Sequence, residues 1–119
     1  MRYLVVLLLV GCAMTPQELT TAGIRTEHAS ERSPEQAARC VARNAEELKL
    51  GWGVNFPATW REGKEPGTFE VVLHGGADYG TLGFAKIEPH GGGSRITIWR
   101  AESILMGSSE INAKMAEGC

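Results

Sequence analysis

The sequence has no excess of charge of either sign: 12 lysines and arginines stand against 14 aspartates and glutamates, for a formal net charge of −2. The charges are also scattered, with Arg39 and Arg43 answered by Glu35, Glu46 and Glu47. The basic stripe that would bind nucleic acid or an anionic membrane face is therefore lacking. No apolar run approaches the roughly 20 residues that an ordinary transmembrane helix needs. There is no CxxC pair, which removes the usual thiol redox motif and the usual zinc spacing. Ser33, Ser94, Ser108 and Ser109 stand in no nucleophile-elbow or triad context. Carboxylate pairs such as Glu46-Glu47 fall on a helix face that solvent wets. Glycine is plentiful, but a phosphate cradle leads into a helix N-terminus. His74-Gly75-Gly76 and His90-Gly91-Gly92-Gly93 are each followed by a strand pattern and read as hairpin loops. His74, His90 and Asp78 show no metal-ligand spacing. The expectation is a non-enzymatic protein with no catalytic residues, no cofactor and no metal.

The N-terminus carries the strongest positive signal. One cation, Arg2, precedes the apolar run Leu4–Val10, and Gly11, Cys12 and Ala13 follow. A short cationic region, a short apolar region and small residues make the pattern of a secretory signal peptide. With a cysteine directly after Leu9-Val10-Gly11, the segment resembles the lipobox of bacterial lipoproteins. That resemblance implies cleavage before Cys12, diacylglycerol on its sulfur and a further acyl chain, such as palmitate, on its new amine. Two or more chains hold a protein stably on a membrane, where one holds it only marginally. Residue 13 is alanine rather than aspartate, which in small Gram-negative envelope lipoproteins resembles outer-membrane sorting, with the domain facing the periplasm. The resemblance implies an address and names no activity.

Loss of residues 1–11 leaves one small domain, whose core is marginal in size and which would benefit from a crosslink. If Cys12 is a thioether, Cys40 and Cys119 remain, and in an oxidising compartment the leftover pair tends to join. An intramolecular Cys40–Cys119 disulfide is the expectation. Two free buried thiols, or an intermolecular bond through Cys119, are the alternatives.

Residues 12–32 read as the lipidated cysteine and a flexible tether spanning on the order of 25 Å. Thr15-Pro16-Gln17-Glu18 resembles a capping box, and allows a weak helix ending near Gly23 with only Leu19 and Ala22 to bury. The folded domain, 33–119, is expected to start at Ser33, an N-cap serine followed by proline at the first helical position. Ala37, Cys40, Val41, Asn44, Ala45 and Leu48 then recur at helical spacing, predicting a helix over 34–49. Val54, Phe56, Ala58 and Trp60 alternate as a first strand, which Pro57 demotes to an edge. Phe69, Val71 and Leu73 mark a second strand, residues 82–88 a third and residues 94–100 a fourth. A last helix over 102–117 has Ile104, Leu105, Ile111 and Met115 as its apolar positions, broken near Gly107.

The expected fold is α+β, a two-layer sandwich of order α-β-β-β-β-α. Four strands form an antiparallel meander with both helices on one face. The opposite face would show Glu70, Val72 and His74 beside Arg95, Thr97 and Trp99. A tryptophan on a solvent face is unusual, so Val72, Arg95 and Trp99 form a candidate contact surface. A shifted register or a covering tether would remove it. The leading functional expectation is an envelope lipoprotein that binds another envelope protein through its sheet face or edge strand. The alternative is a ligand-binding or hydrolase-inhibitor module acting through the 74–80 loop.

Overall fold

The structure is a computed structural model that describes residues 14–51, 53–102 and 110–119. The chain starts with a short helix, α1 (Pro16–Ala22), then a strand, β1 (Ile24–Ser30), and the main helix, α2 (Pro34–Glu47). Four further strands follow: β2 (Ala58–Glu62), β3 (Phe69–His74), β4 (Thr81–His90) and β5 (Gly93–Arg100). A single helical turn, α3 (Gly76–Tyr79), lies between β3 and β4, and α4 (Ile111–Ala116) closes the chain. The class is α+β, as the patterning predicted, with five strands in place of four.

The sheet has the order β1-β5-β4-β3-β2 and is antiparallel throughout. Strands β2 to β5 are the predicted meander. The added strand, β1, lies in the segment expected to be a tether, where it pairs along its whole length with β5, from Ile24 opposite Arg100 to Ser30 opposite Ser94. The folded domain therefore reaches back to residue 14. The connection closes tightly at the β5 start, where a Cβ on Gly93 would run into the Ser30 carbonyl. At the other edge the strand begins only at Ala58. Val54 and Phe56 lie outside it, because proline at position 57 supplies no N–H to a ladder.

Both caps read from the sequence are formed. The Ser33 hydroxyl accepts the Gln36 N–H at 3.4 Å, and the Thr15 hydroxyl accepts that of Glu18 at 3.2 Å. Helix α2 buries Ala37, Ala38, Cys40, Val41, Ala42 and Ala45. These small side chains let it lie close to the sheet, against Val71, Leu73, Ala85, Ile87, Ile96 and Ile98. Helix α4 joins the same face through Ile111 and Met115, so the two are on one side of the sheet as expected. The expected last helix is observed over 111–116, and its predicted first half falls largely outside the described residues.

Cys40 and Cys119 are disulfide-bonded, with Cα atoms 5.6 Å apart. Around the bond, the Asn44 amide donates to the carbonyls of Met115 at 3.0 Å and Glu117 at 2.8 Å. Arg32 donates to the Gly118 carbonyl at 2.9 Å, and the Ser30 hydroxyl donates to that of Cys119. Asn112, buried in α4, donates to Ile24 at 3.0 Å and Ile98 at 3.3 Å, tying α4 to β1 and β5.

The second face of the sheet departs from the two-layer expectation. Helix α1 lies across it and inserts Leu19, fully buried, among Val72, Phe84 and Ala101. Ala22, the other candidate, is exposed. The bridge between Met14 and Gly80, with the Met14 carbonyl accepting the Thr81 N–H at 2.8 Å, fixes the entry to this helix.

Candidate partner-binding edge

The predicted contact residues occupy the predicted face, and α1 covers much of it. Val72 is 4 % exposed, beneath Leu19, and cannot reach a partner while α1 is docked. Trp99 is half-buried and stacks on Phe84 with ring centroids 5.8 Å apart. Arg95 donates to one Glu88 oxygen through Nε at 3.0 Å and Nη2 at 2.8 Å. The three residues therefore do not form an open apolar patch. Arg61 pairs with Glu70 at 2.9 Å and Arg25 with Glu27 at 3.2 Å, so the uncovered part of this face is an ion-paired polar surface. A recess of about 240 Å³ remains between α1 and the sheet, bordered by Gln17, Arg61, Lys64, Glu65 and Lys86 over Phe84. Its cations and carboxylates are mixed, and no ligand chemistry is singled out.

The glycine-rich loops do not bring the histidines together. His74 ends β3 beside the start of β4, and His90 ends β4, so the length of β4 separates them by roughly 30 Å. His74-Gly75-Gly76 leads into the helical turn α3 rather than directly into a strand. That turn is closed by the Gly75 N–H on the Gly80 carbonyl at 2.7 Å and the Gly80 N–H on that of Gly76 at 2.8 Å. Gly80 ends it at a positive φ of 64°, which glycine adopts without steric cost. The loop is therefore a compact corner displaying Tyr79. His74 is held by its Nε2 against the Thr59 hydroxyl at 2.8 Å.

The sheet has two edges with no strand partner among the described residues, β1 and β2, and the β2 edge is the one bordered by an aromatic and cationic groove. One side of this five-residue strand pairs with β3, and among the described residues no strand pairs with the other. Alternate N–H and C=O groups of such an edge point outward, ready for another strand. Thr59, Trp60, Arg61 and Glu62 are all exposed. Trp60 lies on the α2 side, 5.8 Å from the Phe69 ring centroid. The Arg39 guanidinium sits 5.1 Å from the centre of its ring, a cation–π contact of about 0.5–1 kcal/mol at an exposed site. Arg39 also pairs with Glu35 at 3.4 Å, one turn earlier on the helix. A shallow groove runs between helix and strand, with Arg39, Arg43 and Glu46 on one wall and Ala58, Thr59 and Trp60 on the other. A second shallow groove, lined by Arg32, Gln36, Arg39 and Arg43, lies along the exposed side of α2.

The sequence supplied Pro57 and the edge-strand reading. It gave no sign that Arg39 and Trp60 would meet, since 21 positions separate them and neither belongs to a motif. Two of the candidate residues, Cys40 and Cys119, are brought together, and Cys12 lies outside the described residues. No family model matches the chain, and neither a curated protein nor a solved structure matches it.

Proposed function

We propose that this protein is an exported lipoprotein, anchored through acyl chains on Cys12 to the periplasmic face of the outer membrane. Its domain is a non-enzymatic interaction module for another envelope protein. The observation that carries the interaction reading is the open β2 edge beside the Arg39–Trp60 pair. Strand addition needs an unpaired edge for main-chain hydrogen bonds and neighbouring side chains for specificity. Here the groove offers Arg43, an Arg39 that also pairs with Glu35, one glutamate in the wall and an exposed indole. Those groups suit an extended partner segment that carries an aspartate or glutamate near an apolar residue. The sheet face, the other route expected from the sequence, is largely covered by α1.

Two measurements test the reading. Mass spectrometry of the mature N-terminus tests the anchor: an unmodified Cys12, or cleavage elsewhere, ends the lipoprotein reading. For the interaction, a photo-crosslinking residue is placed at Arg61 on the β2 edge or at Ala29 on the opposite edge of the sheet, in the full chain in its native envelope. A discrete crosslinked protein from position 61, absent from position 29 and lost with Trp60→Ser, is the expected result. Equal labelling from both edges, or labelling insensitive to Trp60→Ser, refutes recognition at β2.

A further inference from the structure

The chain runs toward Cys12 from one end of the sheet. Ile24, Arg100, Gly83, Leu73 and Ala58 form a cross-strand row at that end. Met14 lies just beyond the row, bridged to Gly80 and hydrogen-bonded to Thr81. Its side chain packs against the cluster of Leu19, Val72, Phe84 and Ala101. Met14 is thus part of the folded domain, and two peptide units span at most ~7 Å between it and Cys12. The headgroup layer on each side of a bilayer is itself about 5–8 Å deep. An acylated Cys12 leaves no room for a free tether, so whatever surrounds Met14 is held at the lipid interface.

The two ends of the sheet differ in apolar exposure, although the Met14 end also exposes the charged Lys49 and Glu102. Among the described residues four large apolar side chains are exposed. Ile24, at 37 %, starts β1; Val54, at 46 %, lies in the connector into β2; Tyr79, at 47 %, adjoins Gly80, the bridge partner of Met14. All three belong to the Met14 end, and the fourth, Trp60, belongs to the β2 groove. The opposite end exposes Glu31, Arg32, Lys64, Glu65 and His90. Tyr79 is held in position by the closed Gly75–Gly80 corner, where a Cβ on Gly75 would stand 2.7 Å from that of Tyr79. A tyrosine with an apolar ring and a polar tip is the side chain suited to a headgroup layer.

We infer that the end of the sheet bearing Met14, Ile24, Val54 and Tyr79 is seated on the phospholipid bilayer that receives the acyl chains, with Tyr79 in the headgroup layer. The inference rests on the acylation of Cys12 proposed above. The strands then rise from the membrane, with Trp60 about 7 Å along β2 from Ala58 of the row and Glu62 farther from it. Apolar contact and the short leash provide the seating, and no basic patch is needed.

The test is oxidative footprinting of the lipidated full-length protein on vesicles of phosphatidylethanolamine with a minor share of phosphatidylglycerol. The comparator carries a flexible Gly-Ser insertion of about 12 residues between Ala13 and Met14, which adds roughly 20 Å of reach. Mass spectrometry confirms acylation of Cys12 in both proteins and measures oxidation at Met14, Tyr79 and Trp60. Oxidation of Tyr79 in the short-leash protein is expected to be about threefold lower or less than in the insertion variant, the change from a half-exposed ring to a covered one. Trp60 is expected to react equally in both, which also reports that the domain is intact. Acylated Cys12 with equal Tyr79 reactivity in the two proteins overturns the seating alone. An unacylated Cys12 overturns the anchor and the seating together.

Discussion

Breaking the Cys40–Cys119 bond should lower the stability of the domain while leaving its shape unchanged. The bond spans 79 residues of sequence. Chain-entropy reasoning gives such a crosslink about 4.5 kcal/mol at 25 °C, from the freedom it removes from the unfolded chain. That is a large share of the 5–15 kcal/mol typical of a whole domain. The native end of the chain has other fastenings, since Asn44, Arg32 and Ser30 hold the carbonyls of Met115, Glu117, Gly118 and Cys119. Reduction therefore acts mainly on the unfolded state. At about 4 °C per kcal/mol for a domain near 100 residues, the midpoint should fall by roughly 15–20 °C. The assay is a thermal melt of wild type and Cys40→Ala, with and without reductant. Oxidised wild type should melt well above the variant. Reduced wild type should come within a few degrees of it, with a residual gap of about 1 kcal/mol for the lost packing of the buried sulfur. Oxidised wild type and variant melting together would refute the reasoning.

Leu19→Ala empties the one buried position of α1 and should cost about 2–3 kcal/mol. Hydrogen exchange should speed up in α1 and at the Thr81 amide before the β3–β5 core is affected. Asn112→Ala removes the hydrogen bonds to the buried Ile98 carbonyl and the partly buried Ile24 carbonyl and should lower stability by about 1–3 kcal/mol, measured by denaturant titration. Burial holds the half-buried His28 below its ordinary value of 6.5, because a charged imidazole is poorly solvated there. The neutral ring's contribution to stability is therefore complete above the unfolded value and is lost as pH falls through the folded one. His28→Gln should flatten that part of a stability–pH curve, and an unchanged slope would assign the acid sensitivity elsewhere.

Much of the fold was legible because local chemistry and burial agree. Ser33-Pro34 starts α2, its small apolar stripe faces the sheet, and Val71, Ile87, Ile96 and Ile98 alternate inward. Strand β1 was missed because its half-buried positions, Thr26, His28 and Ser30, are polar. Periodicity detects a strand by its apolar face, and an edge strand under a helix end needs little of one. The covering of Val72 was legible only as an alternative, since a single leucine, Leu19, seals it. The disulfide followed from counting cysteines under the expectation of export to an oxidising compartment. The Arg39–Trp60 pair required the tertiary fold, because no short-range pattern connects a helix face to a distant edge strand.

The pairing of β1 with β5 has a consequence for how the chain comes together. The first strand finds its hydrogen-bonding partner only in residues 93–100, with the whole meander and the main helix in between. A chain emerging from its N-terminus therefore presents α1 and β1 with nothing to pair, and α2 with no sheet to cover. Helix α4 and the Cys119 thiol arrive later still. The consecutive hairpins β2–β5 can pair in order as they are made, but β1 must wait for β5, so the sheet is completed only after residue 100. The strand met first along the chain is thus among the last to find its place in the sheet.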